Sequence, residues 1–183
     1  MTETSNCDIL TSAMPPRKAN TESRVRDIAR EIKSRMKGAH PPYRRASNRK
    51  IWTRMVRSVL KKYGEYDGYA HCYPWLVDFI WWEKRSETLA LVAECEWGKS
   101  TDLDDDFQKL AVLKCPLKLF IFSGINPKSF LKRAEDLLQS FGQHTKDEEY
   151  IVIAFTSSEP LLFHFKVPES GRLSARPQFD QWT

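Results

Sequence analysis

The chain has 183 residues, 41% of them hydrophobic and 29% charged, enough to bury one sizeable core without disulfide or metal staples. That balance argues against wholesale disorder, and no apolar run nears the roughly 20 residues that span a bilayer, so no membrane association is expected. The net charge of +5 hides an asymmetry: Arg17 to Lys62 carries 16 Lys/Arg against 3 Asp/Glu, whereas Tyr63 to Thr183 carries 13 against 19.

A basic front on an acidic body points to a polyanionic partner, nucleic acid above all, held near carboxylate chemistry. A solvated basic helix with no partner is the plainer alternative. Met1 to Pro16 has neither a basic nor an apolar leader segment, so no signal peptide is expected. Cys7, Cys72, Cys95 and Cys115 form no CxxC pair, and they read as reduced thiols of a cytoplasmic protein. The four histidines share no zinc spacing with them.

Residues 1–20 read as a flexible tail, with Pro15-Pro16 inside it. Residues 21–47 read as a basic helical arm and linker. Val25, Ile28, Ala29, Ile32 and Met36 recur at helical spacing over Thr21 to Lys37, and Thr21 or Ser23 could cap the start. Gly38 to Ser47, with Pro41-Pro42, breaks this helix. Residues 48–183 read as one α/β domain. It opens with a second basic amphipathic helix, Asn48 to Tyr63, with Asn48 as a cap and Gly64 as the stop. Arg44, Arg45, Arg49, Lys50, Arg54, Arg57 and Lys61 along this stretch are the candidate nucleic-acid contacts.

Coil is expected from Glu65 to Pro74. Leu76 to Trp82 and Thr88 to Trp97 read as two strands five residues apart, hence an antiparallel hairpin. Asp102 to Lys114 reads as a helix, Lys118 to Ser123 as a strand and Pro127 to Phe141 as a helix. Tyr150 to Phe155 reads as a doubly buried strand, and Leu161 to Val167 as an edge strand before an irregular tail. This order fits a mixed central sheet with helices on both faces.

Side chains alternate between the two faces of a strand. Glu94 and Glu96 therefore share a face of the second strand, about 7 Å apart by strand rise. Cys95 and Trp97 look the other way. Asp78 is an acid among apolar neighbours in the first strand, and a hairpin would bring it near Glu94. Ionised carboxylates this close repel, which raises their pKa values or calls for a cation such as Mg²⁺ or Mn²⁺. Each acid taken singly also fits a solvated strand end. GxxxxGK[ST] and GxSxG are absent, which sets nucleotide-phosphate loops and a nucleophilic serine aside. His71, His164 and most of the six Trp residues read as structural.

Asp78, then Glu94-Cys95-Glu96 on a second strand, then a helix and a buried strand, resembles the PD-(D/E)xK nuclease superfamily over roughly Asn48 to Ser123. The resemblance implies a restriction-endonuclease-like core and Mg²⁺-dependent hydrolysis of phosphodiester bonds in nucleic acid, with DNA the first expectation and RNA open. It implies a metal held by Asp78, Glu94 and the Cys95 carbonyl, with Glu96 as a further acid, and it allows a homodimer. The Pro before the first acid is missing, and Glu96 replaces the Lys of the triplet. Lys109, on the following helix, is the substitute that some relatives use; Asp106 lies one turn before it, and Lys99 is a second choice. Read without the migrated lysine, the chain is a catalytically inactive module that binds nucleic acid or protein on the same fold.

Overall fold

Alternating apolar side chains place two sets of residues on opposite faces of one seven-stranded sheet. The computed structural model describes residues 21–37, 46–74, 76–97, 100–141, 144–156, 160–173 and 176–182. The expected tail, most of the expected linker, Arg44, Arg45 and Lys99 lie outside them. The elements in chain order are α1 (Thr21–Lys37), α2 (Ala46–Tyr66), β1 (Ala70–Cys72), β2 (Phe79–Glu83) and β3 (Thr88–Glu96). They continue with α3 (Ser100–Val112), β4 (Leu117–Ser123), α4 (Pro127–Ser140), β5 (Glu149–Phe155), β6 (Leu161–Lys166) and β7 (Asp180–Trp182).

Strand order across the sheet equals chain order. The centre, β3–β4–β5, is parallel, and antiparallel pairs flank it on both sides. The chain is thus an α/β protein with a mixed open sheet, as the element order predicts. Parallel strands need a crossover of helical length, which α3 and α4 supply. Both central strands after β3 are buried almost throughout and mostly apolar, because each is covered on two sides; Lys118 and Ser123 of β4 are the buried polar exceptions. Asn126 caps α4 by accepting from the Lys128 N–H at 2.9 Å, and Pro127 supplies a preset φ at its first turn.

On one face α1 and α2 pack Val25, Ile28, Ile32, Trp52, Val56 and Leu60 against Phe79, Trp81, Leu91, Ile121 and Ile153. On the other, α3 and α4 pack Leu103, Phe107, Leu110, Phe130 and Leu138 against Val92, Phe120, Phe122 and Val152. The helix read as an arm is therefore one wall of the core. Its apolar stripe is buried, Arg26, Arg30 and Arg35 are exposed, and Arg24 is turned inward to Asp67 at 2.7 Å.

Several boundaries differ from the sequence reading for identifiable reasons. Helix α2 starts two residues before Asn48 and runs past Gly64, so neither residue marks an end. Gly64 is required by a neighbour instead. A Cβ there would strike the Trp81 indole, lying 2.8 Å from Cδ1. That indole donates to the Leu60 carbonyl at 2.9 Å, which draws the ring against the helix. The stretch expected to be coil contains β1, and the tail contains β7, so β6 is internal rather than an edge. Strand β2 begins at Phe79, after a bend over residues 76–78.

A buried polar cluster ties the far end of the sheet together. Glu148 accepts from Lys118 at 3.0 Å and from the Tyr150 hydroxyl at 2.8 Å, and pairs with His144 at 3.0 Å. Lys118 and His144 also reach the Ala111 and Leu138 carbonyls near the ends of α3 and α4. Burial lowers the Lys118 pKa, opposed by the Glu148 charge.

Candidate functional site

Continuation of the β2–β3 register, in which Phe79 faces Ala93, puts Asp78 across from Glu94. The bend before β2 frees the Asp78 backbone from the ladder, and its N–H donates to Glu94 Oε2 at 3.1 Å. Asp78 Oδ2 in turn accepts the Cys95 N–H at 3.0 Å. The two acids are thus locked to each other's strands through main-chain donors. Glu94 shares a face with Val92, beneath α3, whereas Cys95 and Trp97 belong to the α1–α2 side.

Helix α3 brings the lysine. Leu103, Phe107 and Leu110 anchor it on the sheet, which leaves Lys109 on the flank above Glu94. Its Nζ is 3.9 Å from Glu94 Oε1 and 2.5 Å from Asp106 Oδ1. The Asp106 bond is the main reason that the Lys109 pKa is raised. On the opposite side of the sheet edge, Arg57 of α2 reaches Asp78 Oδ1 at 2.8 Å. Its guanidinium lies over the Tyr73 ring, 5.0 Å from the centroid.

Three carboxylates therefore face two cations. Glu94 is only 7% exposed. Burial first, then the charges of Asp78 and Asp106, push its carboxyl up to about 8, with Lys109 pulling the other way. Burial likewise holds the Cys95 thiol well above its ordinary range, with the Asp78 and Glu94 charges adding to it. Such a thiol is protonated and a poor nucleophile.

Of the residues singled out in the sequence, the fold brings Asp78, Glu94, the Cys95 backbone, Lys109 and Asp106 together. Glu96 sits half-buried two residues beyond Glu94. Among the described residues no three His, Cys, Asp or Glu side chains are placed to hold a metal ion, so a three-acid centre of Asp78, Glu94 and Glu96 is not formed. The register explains this: Asp78 faces position 94, and the strand carries Glu96 onward by about 7 Å.

On α2, Lys50, Arg54 and Lys61 are exposed, Lys61 lying 3.7 Å from Glu65. Arg49 is half-buried. Trp52 is core, at 2% exposure. His164 pairs with Glu149 at 3.3 Å and packs on Trp182, a structural arrangement. Sequence reasoning missed Arg57 as the partner of Asp78, and Tyr73 beneath it. Periodicity gives the face of a helix but not which strand end that face will meet.

Comparison of the chain with protein-family models, with curated proteins and with solved structures finds no match. The resemblance to PD-(D/E)xK nucleases therefore rests on the residues named above. Among the described residues no helix is long and apolar enough to cross a membrane.

Proposed function

We propose that this chain is a metal-dependent phosphodiester hydrolase acting on nucleic acid, DNA in the first instance, built on a restriction-endonuclease-like core. The observation that carries the reading is the approach of Lys109 to Glu94, 3.9 Å from its Oε1, beside an acid from the neighbouring strand. An acid pair and a lysine are the groups that the resemblance requires, and the lysine comes from the helix because position 96 holds Glu.

The donor set suits a hard divalent cation. Two carboxylates on adjacent strands are held rigid by main-chain bonds. A carboxyl pushed up to about 8 by burial and by neighbouring acids lacks sufficient countercharge. Asp78, Glu94 and the Cys95 carbonyl would hold Mg²⁺ or Mn²⁺, which activates water and offsets charge on the phosphoryl group. Lys109 orients the attacking water or a phosphate oxygen, and Asp106 fixes the lysine in turn. Lys50, Arg54 and Lys61 attract the backbone without reading its sequence.

The test compares Glu94→Ala with Lys109→Ala across a Mg²⁺ titration on duplex and branched DNA. Glu94→Ala should abolish cleavage and weaken metal binding while DNA binding survives. Lys109→Ala should slow cleavage with metal affinity nearly unchanged, since an ammonium is not a ligand. A second reading, an inactive binding module, draws support from the loss of the triplet lysine to Glu96 and from the lack of a three-acid centre among the described residues. Wild-type protein that binds DNA and never cuts it, in Mg²⁺ or Mn²⁺, would favour that reading.

A further inference from the structure

Arg57 occupies the one oxygen of Asp78 that main chain does not. Oδ2 takes the Cys95 N–H, whose position the sheet fixes. Oδ1 takes Arg57 Nη2 at 2.8 Å, and a side chain can leave where a backbone group cannot. The guanidinium is incompletely satisfied where it sits: its Nε is buried without a hydrogen-bond partner. One face of it lies over Tyr73, which is 46% exposed, so the position is at the mouth of the site rather than sealed within it.

The same arginine belongs to the basic face of α2. Positions 50, 54, 57 and 61 follow helical spacing and place Lys50, Arg54, Arg57 and Lys61 along one stripe. A nucleic-acid backbone laid along that stripe passes Arg57. A phosphate offers a guanidinium two parallel acceptors, where Asp78 here gives it one.

From these observations, and resting on the hydrolase reading above, we propose that Arg57 is an exchangeable guard of the metal site. Without nucleic acid it neutralises Asp78 and competes with a divalent ion for Oδ1. With nucleic acid bound it moves to a backbone phosphate and releases that oxygen. Metal binding and nucleic-acid binding are then coupled through one side chain, and by linkage each strengthens the other by the same factor. The protein would take up metal mainly when substrate is present.

The experiment measures Mn²⁺ affinity of the full chain by the paramagnetic resonance of free Mn²⁺, with and without a 20-base-pair DNA duplex whose own Mn²⁺ uptake is subtracted. It compares wild type with Arg57→Met, which keeps the apolar stem and removes the charge. Wild type should gain about tenfold in Mn²⁺ affinity when DNA is added, the size expected for losing one charge-assisted competitor. Arg57→Met should bind Mn²⁺ about tenfold more tightly than wild type without DNA, and should gain severalfold less from adding it. Fluorescence anisotropy of labelled DNA titrated with Mn²⁺ should return the same coupling from the other side. If Arg57→Met does not fold, Tyr73→Leu, which removes the ring under the guanidinium, should shift both quantities in the same direction. Equal coupling in wild type and variant would make Arg57 a fixed clamp and overturn the inference, with the hydrolase reading intact. No Mn²⁺ binding by any form, with or without DNA, would overturn the hydrolase reading and this inference with it.

Discussion

Glu94→Gln should leave the metal-free protein less stable or unchanged in acid and more stable at neutral pH. The wild-type carboxyl titrates at about 8 in the fold and at its ordinary 4.5 in the unfolded chain. Between those values the folded protein holds a proton that the unfolded chain has lost. Folding stability must then fall as pH rises through that window, by about 1.4 kcal/mol per pH unit. From pH 5 to pH 7.5 the loss is about 3 kcal/mol.

Glutamine copies the neutral acid. Its carbonyl can keep the Asp78 N–H that Oε2 accepts at 3.1 Å, and it carries no charge to be stripped of water. The assay is urea unfolding with EDTA present, at half-unit steps from pH 5 to pH 8, for both proteins. Most other titrating groups are common to the pair, so the difference between the two curves isolates position 94. That difference should swing by about 3 kcal/mol towards the variant. A difference constant with pH would mean that Lys109 and Arg57 fully compensate the Glu94 charge, and that the site makes no demand for a further cation. The sign also bears on metal uptake: an incoming ion must displace the proton, so affinity should rise with pH.

Gly64→Ala should destabilise the protein by about 1–3 kcal/mol in thermal unfolding, although alanine is the better helix former by about 1 kcal/mol, because the new methyl group meets the Trp81 indole. Glu148→Leu strands Lys118, 1% exposed on its side chain, and should cost about 3–5 kcal/mol in urea. Phe107→Ala removes a ring in contact with Phe120, Phe130 and Tyr150 and should cost about 3–5 kcal/mol in the same assay. The triple variant Lys50→Ala, Arg54→Ala, Lys61→Ala should lower the slope of log affinity for duplex DNA against log salt by about 3. An unchanged slope would leave α2 a solvated basic helix.

The sheet's centre was legible because its physics is local. The run Tyr150 to Phe155 announces a strand covered on both sides, and alternation from Leu91 to Trp97 places Glu94 and Trp97 on opposite faces; a bulge opposite Trp81/Trp82 shifts Leu89 to the other face from the one that alternation gives it. The proximity of Asp78 to Glu94 comes from a tight hairpin, whose turn is the four residues 84–87. What sequence could not supply were the partners made by packing. Gly64 reads as a helix stop from its flanks, yet its reason is Trp81, seventeen residues on. Arg57 reads as a phosphate contact because nothing in α2 reveals that it ends beside Asp78. Strands β1 and β7, three residues each, are too short for any period to register. The basic segment was legible as charge but not as core. Deleting residues 1–47 would remove Val25, Ile28 and Ile32 from the interior, so surface substitution is the sounder probe of its binding.

Strand order that matches chain order carries a consequence for how the molecule assembles as it is made. Every strand after β1 pairs with the strand completed just before it, so the sheet can grow strand by strand as the ribosome delivers it, with no closure longer than a helical crossover. The helices α1 and α2 have the opposite fate. They emerge before the sheet, with their apolar faces bare, and the surface that buries them is synthesised afterwards. Val25, Ile28 and Ala29 share one core with Leu91, Leu117 and Ile151, and Arg26 lies over Trp182, 4.7 Å from the ring centroid. The first helix thus makes contact with β7, and a nascent chain stalled before β2 would present an unsheltered, positively charged amphipathic hairpin to whatever it meets, because the covering residues begin at Phe79.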